Sequence, residues 1–264
     1  MFARSALEAQ HTDDRVYLLH AATALEQLWT LEDPEEGIRW FERLFERPEA
    51  ERASPRLRAE ALRAHGSCLG ISGRFAAAEE LWTRSLSLFE QLDDEHGRAV
   101  LLHRLGISAM WRGELGQARE LVEASDAIHR RTGDVWGRAQ TVGTLGAIAR
   151  DEGDERSALE LVRESVMLAR EAGVPWWEGG ALAELACLCL NAGLVEEGEG
   201  RARESLEIAE RLRDRPGRIF CVGILARVAA ERGHGAPVGI GLLVLGRRGR
   251  ELEEQELRAE QPDT

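Results

Sequence analysis

Glycine recurs at Gly73, Gly113, Gly153, Gly193 and Gly233, five times on a ruler of 40 residues. Self-similarity at such a period specifies stacked supersecondary units, each burying its apolar face only against its neighbours. Other columns keep the same ruler. Seven residues before each glycine stand Gly66, Gly106, Gly146, Ala186 and Ala226, preceded by His65, Leu105, Leu145, Leu185 and Leu225. After it come Ala78, Ala118, Ala158 and Gly198, then Ser85, Ser125, Ser165 and Ser205. Apolar columns run beside them: Leu81, Leu121, Leu161 and Leu88, Ile128, Leu168, Ile208. No single match is specific, but the set on one register is.

Each column has a physical reading. A small residue after the leucine lets two helices approach closely. The glycine seven residues on ends the first helix in the left-handed conformation. Alanine and serine fall seven apart on one face of the second helix, beside the apolar columns. The serine hydroxyls are expected to bond back to a carbonyl in their own preceding turn. Four serines repeated on a ruler are structural, since a nucleophile needs a base within reach. Asp94, Asp134 and Asp214 open "DEHGRA", "DVWGRA" and "DRPGRI", where the next first helix begins. An aspartate there caps free N–H groups, so these six-residue motifs are joints and not catalytic loops.

Composition supports an all-α fold: alanine, leucine, glutamate and arginine dominate, and one tyrosine is present. The expected architecture is a right-handed superhelical solenoid of antiparallel helix pairs, twelve helices in six pairs, without sheet. Residues 14–235 form it, after a lead-in over 1–13. The first pair is read in "VYLLHAATALEQLWTL" (16–31) and "EEGIRWFERLFER" (35–47), followed by a connector over 47–60 centred near 48–57.

A net charge of −13 speaks against a direct nucleic-acid partner. None of the 34 basic residues is lysine, which excludes Walker, kinase and Schiff-base lysine chemistry in this chain. Cys68, Cys187, Cys189 and Cys221 lack the spacing of a disulfide framework or zinc site and read as buried small hydrophobes in a reducing compartment. No apolar leader and no membrane-length apolar run appears, so a cytoplasmic protein with no membrane partner, no cofactor and no metal is expected.

The Leu105-Gly106, Gly113, Ala118 and Ser125 pattern resembles the tetratricopeptide repeat (TPR). The period of 40 and the "D-x-W-G-x-A" joint resemble the MalT-like TPR region of bacterial LuxR-type and signal-transduction ATPase regulators, over roughly residues 15 to 235. The resemblance implies a non-catalytic interaction or sensor module of a bacterial regulator, with a transcriptional role. Such a module binds a protein, peptide (acidic ones included) or small effector in its concave groove. A fragment or split product of a larger regulatory ATPase, lacking its nucleotide- and DNA-binding modules, is the alternative, followed by an enzyme with an unrecognised groove site.

The family's groove positions, carried over, are Arg63, His103, Arg104, Trp111, Gln140, Arg150, Glu184, Asn191 and Arg227, with Ser67, Ile107 and Thr144 beside them. Arg104 and Trp111 stand seven apart on one helix and so on one face. Arg150 is expected on the neighbouring first helix, and two guanidiniums near an indole suit an acidic peptide or carboxylate-bearing effector. In "VPWWEGG" (174–180), Trp176 takes the column of Trp136 and is expected in the joint. Trp177 replaces a glycine; repacking against its neighbours is the favoured reading, and an exposed contact anchor, which makes it a candidate ligand contact, is the alternative. His65, in the leucine column, is expected as a satisfied core histidine.

After His234 the columns fail, leaving a degenerate final repeat and charged tail over 236–264. Residues 236–246 are expected to pack poorly and 247–260 to form at most a loosely attached helix. The C-terminal edge is expected to self-associate, because a terminal repeat needs a polar outer face. Hydrogen exchange should find 236–246 less protected than 140–170; equal protection contradicts the expectation.

Overall fold

The computed structural model describes residues 19, 21–46 and 53–232, and every regular element among them is helical. Residues 21–24 are helical, and the chain leaves the helix at Leu25 (φ −87°, ψ 2°) before α1. The helix expected over 16–31 is therefore interrupted. The helices are α1 (Glu26–Glu32), α2 (Pro34–Phe45), α3 (Pro55–Ile71), α4 (Phe75–Gln91), α5 (Glu95–Trp111), α6 (Leu115–Thr132), α7 (Val135–Asp151), α8 (Glu155–Ala172), α9 (Pro175–Asn191), α10 (Val195–Arg211) and α11 (Arg215–Glu231). First helices α3, α5, α7, α9 and α11 start at 55, 95, 135, 175 and 215, and second helices at 75, 115, 155 and 195. The 40-residue ruler is thus the spacing of an all-α solenoid of paired antiparallel helices. The second helix of the sixth pair, Gly233 and the readings made for 236–264, self-association included, lie outside the described residues.

The chain divides into two compact units, one ending at His129 within α6 and the other beginning at Arg130. In the first, α1 packs on α2 and α3, α2 on α3, α3 on α4 and α4 on α5. Its core gathers Trp29, Ile38, Phe41, Leu57, Trp82, Phe89 and Leu101. In the second, α7 packs on α8, α8 on α9, α9 on α10 and both α9 and α10 on α11. Val162, Leu182, Leu185 and Cys189 centre one of its cores, and Ala202, Cys221, Ile224 and Val228 another.

Local chemistry sets these boundaries. Asp94, Asp134 and Asp214 each accept from the N–H three residues on, at Gly97, Gly137 and Gly217, with distances of 2.9, 2.8 and 3.1 Å. A Cβ at Gly217 would lie 2.2 Å from the Asp214 carboxylate and one at Gly97 would lie 2.4 Å from the Phe89 ring, so these two joints have no room for a side chain, whereas Asp154 caps the N–H of Ser157 in the same way. Gly73, Gly113, Gly153 and Gly193 close the first helices at φ +82°, +77°, +83° and +75°. The connector expected to reach 60 stops at Ser54, whose hydroxyl accepts from Leu57 N while Pro55 opens α3. Proline suits a first helical position because its missing N–H has no acceptor there.

The serine column behaves differently from expectation. The hydroxyls of Ser85, Ser125, Ser165 and Ser205 donate to Ala59, Ala99, Ala139 and Gly179 carbonyls, at 2.6, 2.7, 2.7 and 2.7 Å. Each acceptor lies 26 residues back, on the first helix of the same pair. The bond pins two helices together instead of bending one. It is reachable because the facing columns are small: a Cβ on Gly106 would meet Val122 Cγ2 at 2.5 Å, and one on Gly146 would meet Val162 Cγ2 at 2.6 Å.

Two glycines within helices should therefore respond oppositely to alanine. Gly146→Ala forces a stiff β-branched neighbour aside and should cost about 1–3 kcal/mol. Gly180, with nothing within 4 Å of an added Cβ, should gain about 0.5–1 kcal/mol on becoming alanine. Urea denaturation of both variants checks the signs.

Candidate functional site

In the first unit, the inherited groove positions fall on α3 and α5. Arg63 on α3 reaches both oxygens of Glu26, with Nη1 2.9 Å from Oε1 and 2.7 Å from Oε2. Arg104 on α5 shares the same carboxylate, Nη2 lying 3.4 Å from Oε1. Both groove arginines are thus engaged by a residue the sequence reading did not name. Glu26 falls 40 before Gly66, in the column that elsewhere holds a small residue, and that misfit was the available signal. His103 is buried, not groove-lining; burial and then Arg104 and His129 push its pKa down to about 3. Trp111 is 60% exposed. Its ring stands edge-on to Phe75 with centroids 4.9 Å apart, which fixes the indole while leaving most of it open.

In the second unit, the groove positions join along α7, α9 and α11. Arg150 pairs with Glu184 of the next first helix and with Asp151 at 2.9 Å. Asn191 Oδ1 accepts from Arg227 Nη1 at 2.8 Å, and Arg227 Nε also reaches Glu231 at 2.9 Å. Gln140 is half-buried and its carbonyl accepts from Thr144 at 3.0 Å. Residues read as separate ligand contacts are therefore partners of each other, and a ligand here competes with internal acceptors.

Of the two tryptophans of "VPWWEGG", Trp177 is packed and Trp176, expected in the joint, is exposed. Trp177 is half-buried and donates from Nε1 to Ser165 Oγ at 3.2 Å. Gly143 on α7 makes room for it, since a Cβ there would lie 2.9 Å from Ser165 Oγ and 3.4 Å from the indole. Trp176 is the exposed one, at 61%. Together with Trp136 they form an edge-to-face triad with centroids 5.5 to 6.1 Å apart. α9 begins at Val174 and Pro175 with no side-chain cap, and the Trp177 indole lies in the space left by Gly143 beside Ser165.

His65 is buried but not satisfied: neither ring nitrogen finds a partner among the described residues. It stacks on Phe41 and Phe45 at 5.4 and 6.1 Å. Burial, with Arg74 adding to it, pushes its pKa down to about 4. Cys68, Cys189 and Cys221 are buried thiols, whereas Cys187 is half-buried. Burial raises the pKa of Cys68 to about 12 and of Cys187 to about 11. Among the described residues no group of three or more His, Cys, Asp or Glu is placed to hold a metal ion, and no helix is long and apolar enough to cross a membrane.

No protein-family model matches the sequence, and no curated protein matches it significantly. Solved structures do match the fold. The Rap conjugation gene regulator of plasmid pLS20, in complex with a Phr peptide, is similar at TM-score 0.74 and 13% identity, over 94% of this chain and 76% of that one. A Rap protein complexed with competence and sporulation factor is similar at TM-score 0.69 and 14% identity, over 86% of this chain and 62% of that one. BtubC from P. vanneervenii is similar at TM-score 0.63 and 13% identity, over 76% and 83%. At such identities the likeness is one of fold, a TPR-like helical repeat.

His65 makes stability depend on pH. Its folded pKa of about 4 lies below the ordinary value of 6.5, so below pH 6.5 the unfolded chain binds the proton first. Stability is full above 6.5 and falls as pH drops toward 4. His65→Leu, which restores the column, should be more stable than wild type in urea at pH 7.5. The gap should widen by on the order of 1–3 kcal/mol at pH 4.5. An unchanged gap contradicts the assignment.

Proposed function

We propose that this chain is a non-catalytic helical-repeat module that binds a peptide or protein segment on the first helices of its pairs, as part of a cytoplasmic bacterial regulator. The observation that carries the reading is Trp111: an indole held by Phe75 and 60% exposed on a first helix, two turns from Arg104. A large exposed aromatic close to arginine is the composition of binding hot spots. The fold likeness supports the same reading, since the Rap conjugation gene regulator of pLS20 and NprR were solved in complex with peptides. The half-exposed arginines of α7 and α11 favour an acidic segment, which exchanges with Glu184 and Asn191 for the guanidiniums. A small carboxylate effector uses the same chemistry.

A second reading is favoured by the "D-x-W-G-x-A" joint. It makes the module the sensing arm of a larger MalT-like transcriptional regulator, whose nucleotide- and DNA-binding parts belong to other segments or chains.

Affinity capture of a partner followed by calorimetry tests the proposal. Trp111→Ala and Arg150→Ala should each weaken binding by about 1–3 kcal/mol. Arg156→Ala, on the second helix α8 with a side chain 89% exposed, should leave it unchanged. Equal affinities across all three variants and wild type would place binding away from the first helices.

A further inference from the structure

The first unit contains a sheltered cluster whose charges do not balance. Glu26, Arg63 and Arg104 side chains are 12%, 21% and 33% exposed, so they are partly withdrawn from water yet open to it. One carboxylate faces two guanidiniums. The surplus positive charge is costly where solvent is scarce, and it stands out in a chain of net charge −13. In the second unit the interhelix arginines are matched: Arg150 meets Glu184 and Asp151, Arg163 meets Glu197, Arg170 meets Glu178 and Glu204, and Arg232, which shares Glu199 with Arg203, also reaches Glu196.

The shared carboxylate serves its partners unequally. Both oxygens go to Arg63, while Arg104 receives one long contact at 3.4 Å. Arg104 Nε is buried and finds no acceptor among the described residues. A guanidinium reads carboxylates best through two parallel bonds, and Glu26, tethered to α1, does not provide them. Nor is Glu26 part of either repeat that carries the arginines, Arg63 lying on α3 and Arg104 on α5. It opens a helix of 7 residues that has no side-chain cap and follows the break at Leu25. Trp29 anchors that helix in the core, so Glu26 can leave by changing rotamer while α1 stays in place.

We infer that Arg63 and Arg104 form a carboxylate-binding site that Glu26 fills from within, and that an acidic ligand takes its place by displacing the Glu26 side chain. The inference rests on the proposed peptide-binding function and narrows it to one ligand group and two arginines. The carboxylate comes from an acidic peptide side chain or from a small polycarboxylic acid. Glu26 acts as a resident competitor, raising the ligand concentration needed for occupancy and rejecting ligands that bring no negative charge.

The test uses the full chain and fluorescein-labelled hexaglutamate, followed by fluorescence anisotropy at low ionic strength. Glu26→Gln should bind the probe about tenfold more tightly than wild type, the effect of removing one charged competitor. The double variant Arg63→Gln, Arg104→Gln should lose that gain and bind more weakly than wild type. Unlabelled citrate that displaces the probe, with the same dependence on Glu26, assigns the site to small acids; citrate that fails to displace it assigns the site to peptides. Thermal melting checks that each variant folds. If Glu26→Gln does not, Glu26→Asp, which draws the charge back by one methylene, should still tighten binding by roughly threefold. Unchanged or weaker binding by the folded Glu26 variants overturns the inference, as does full affinity in the double arginine variant or no probe binding by any folded variant. Probe binding that depends on Trp111 but not on Glu26, Arg63 or Arg104 defeats this inference alone. The titration with the captured partner judges the broader function separately.

Discussion

The hydrogen bond from each second-helix serine to a carbonyl of its partner helix is the contact on which the repeat depends. Ser85, Ser125 and Ser165 are fully buried and Ser205 nearly so, and a buried hydroxyl without an acceptor is costly. The acceptor lies on the opposite helix, so the bond forms only at one interhelix distance. That distance in turn forbids a side chain at Gly106 and Gly146, where a Cβ would run into Val122 and Val162. The small residue and the serine are therefore one device, repeated every 40 residues, while the residue facing the small one varies from Trp82 through Val122 and Val162 to Ala202. Once each pair is fixed, the first helices follow one another within each unit, and their polar residues come within reach across 34 to 36 positions, as at Arg150–Glu184 and Asn191–Arg227.

The sequence made most of this framework legible. Period, helix starts, glycine C-termini and aspartate caps depend on local chemistry, and local chemistry repeats. The direction of the serine bond was not legible, because back-bonding within a helix and bonding across helices demand the same residue. Trp176 of α9 was misplaced for a related reason. The ruler assigned it to the joint by analogy with Trp136, but Gly143 leaves room beside Ser165 for the neighbouring indole of Trp177 instead. His65 marks a different limit. A histidine in a leucine column reads as a core residue, and it is one, but only the structure shows Phe41 and Phe45 on its faces and no acceptor at its nitrogens.

The candidate site was legible as positions and not as charges. Arg63, Arg104, Arg150, Glu184, Asn191 and Arg227 were all singled out as ligand contacts, yet each has an internal partner. Pairing across repeats depends on which side chains meet, and spacing alone does not rank the partners. Glu26 shows the consequence most clearly: it lies outside the five well-kept repeats, in a column reserved for small residues, and it holds both groove arginines of the first unit, Arg63 and Arg104. A face so arranged is not simply vacant for a ligand. It is held by its own acidic groups, so under the proposed function binding is an exchange of carboxylates, selective for ligands that bring enough negative charge to win it.

Arginine Nε–H resonances of the wild-type protein, followed by nitrogen NMR while the captured partner is added, test this exchange most directly. Arg104 Nε–H, without an acceptor in the free protein, should shift strongly and become protected as its new carboxylate arrives. Arg63 should shift with it and Arg156 should not. Full occupancy of the partner with Arg63 and Arg104 unmoved would contradict the account.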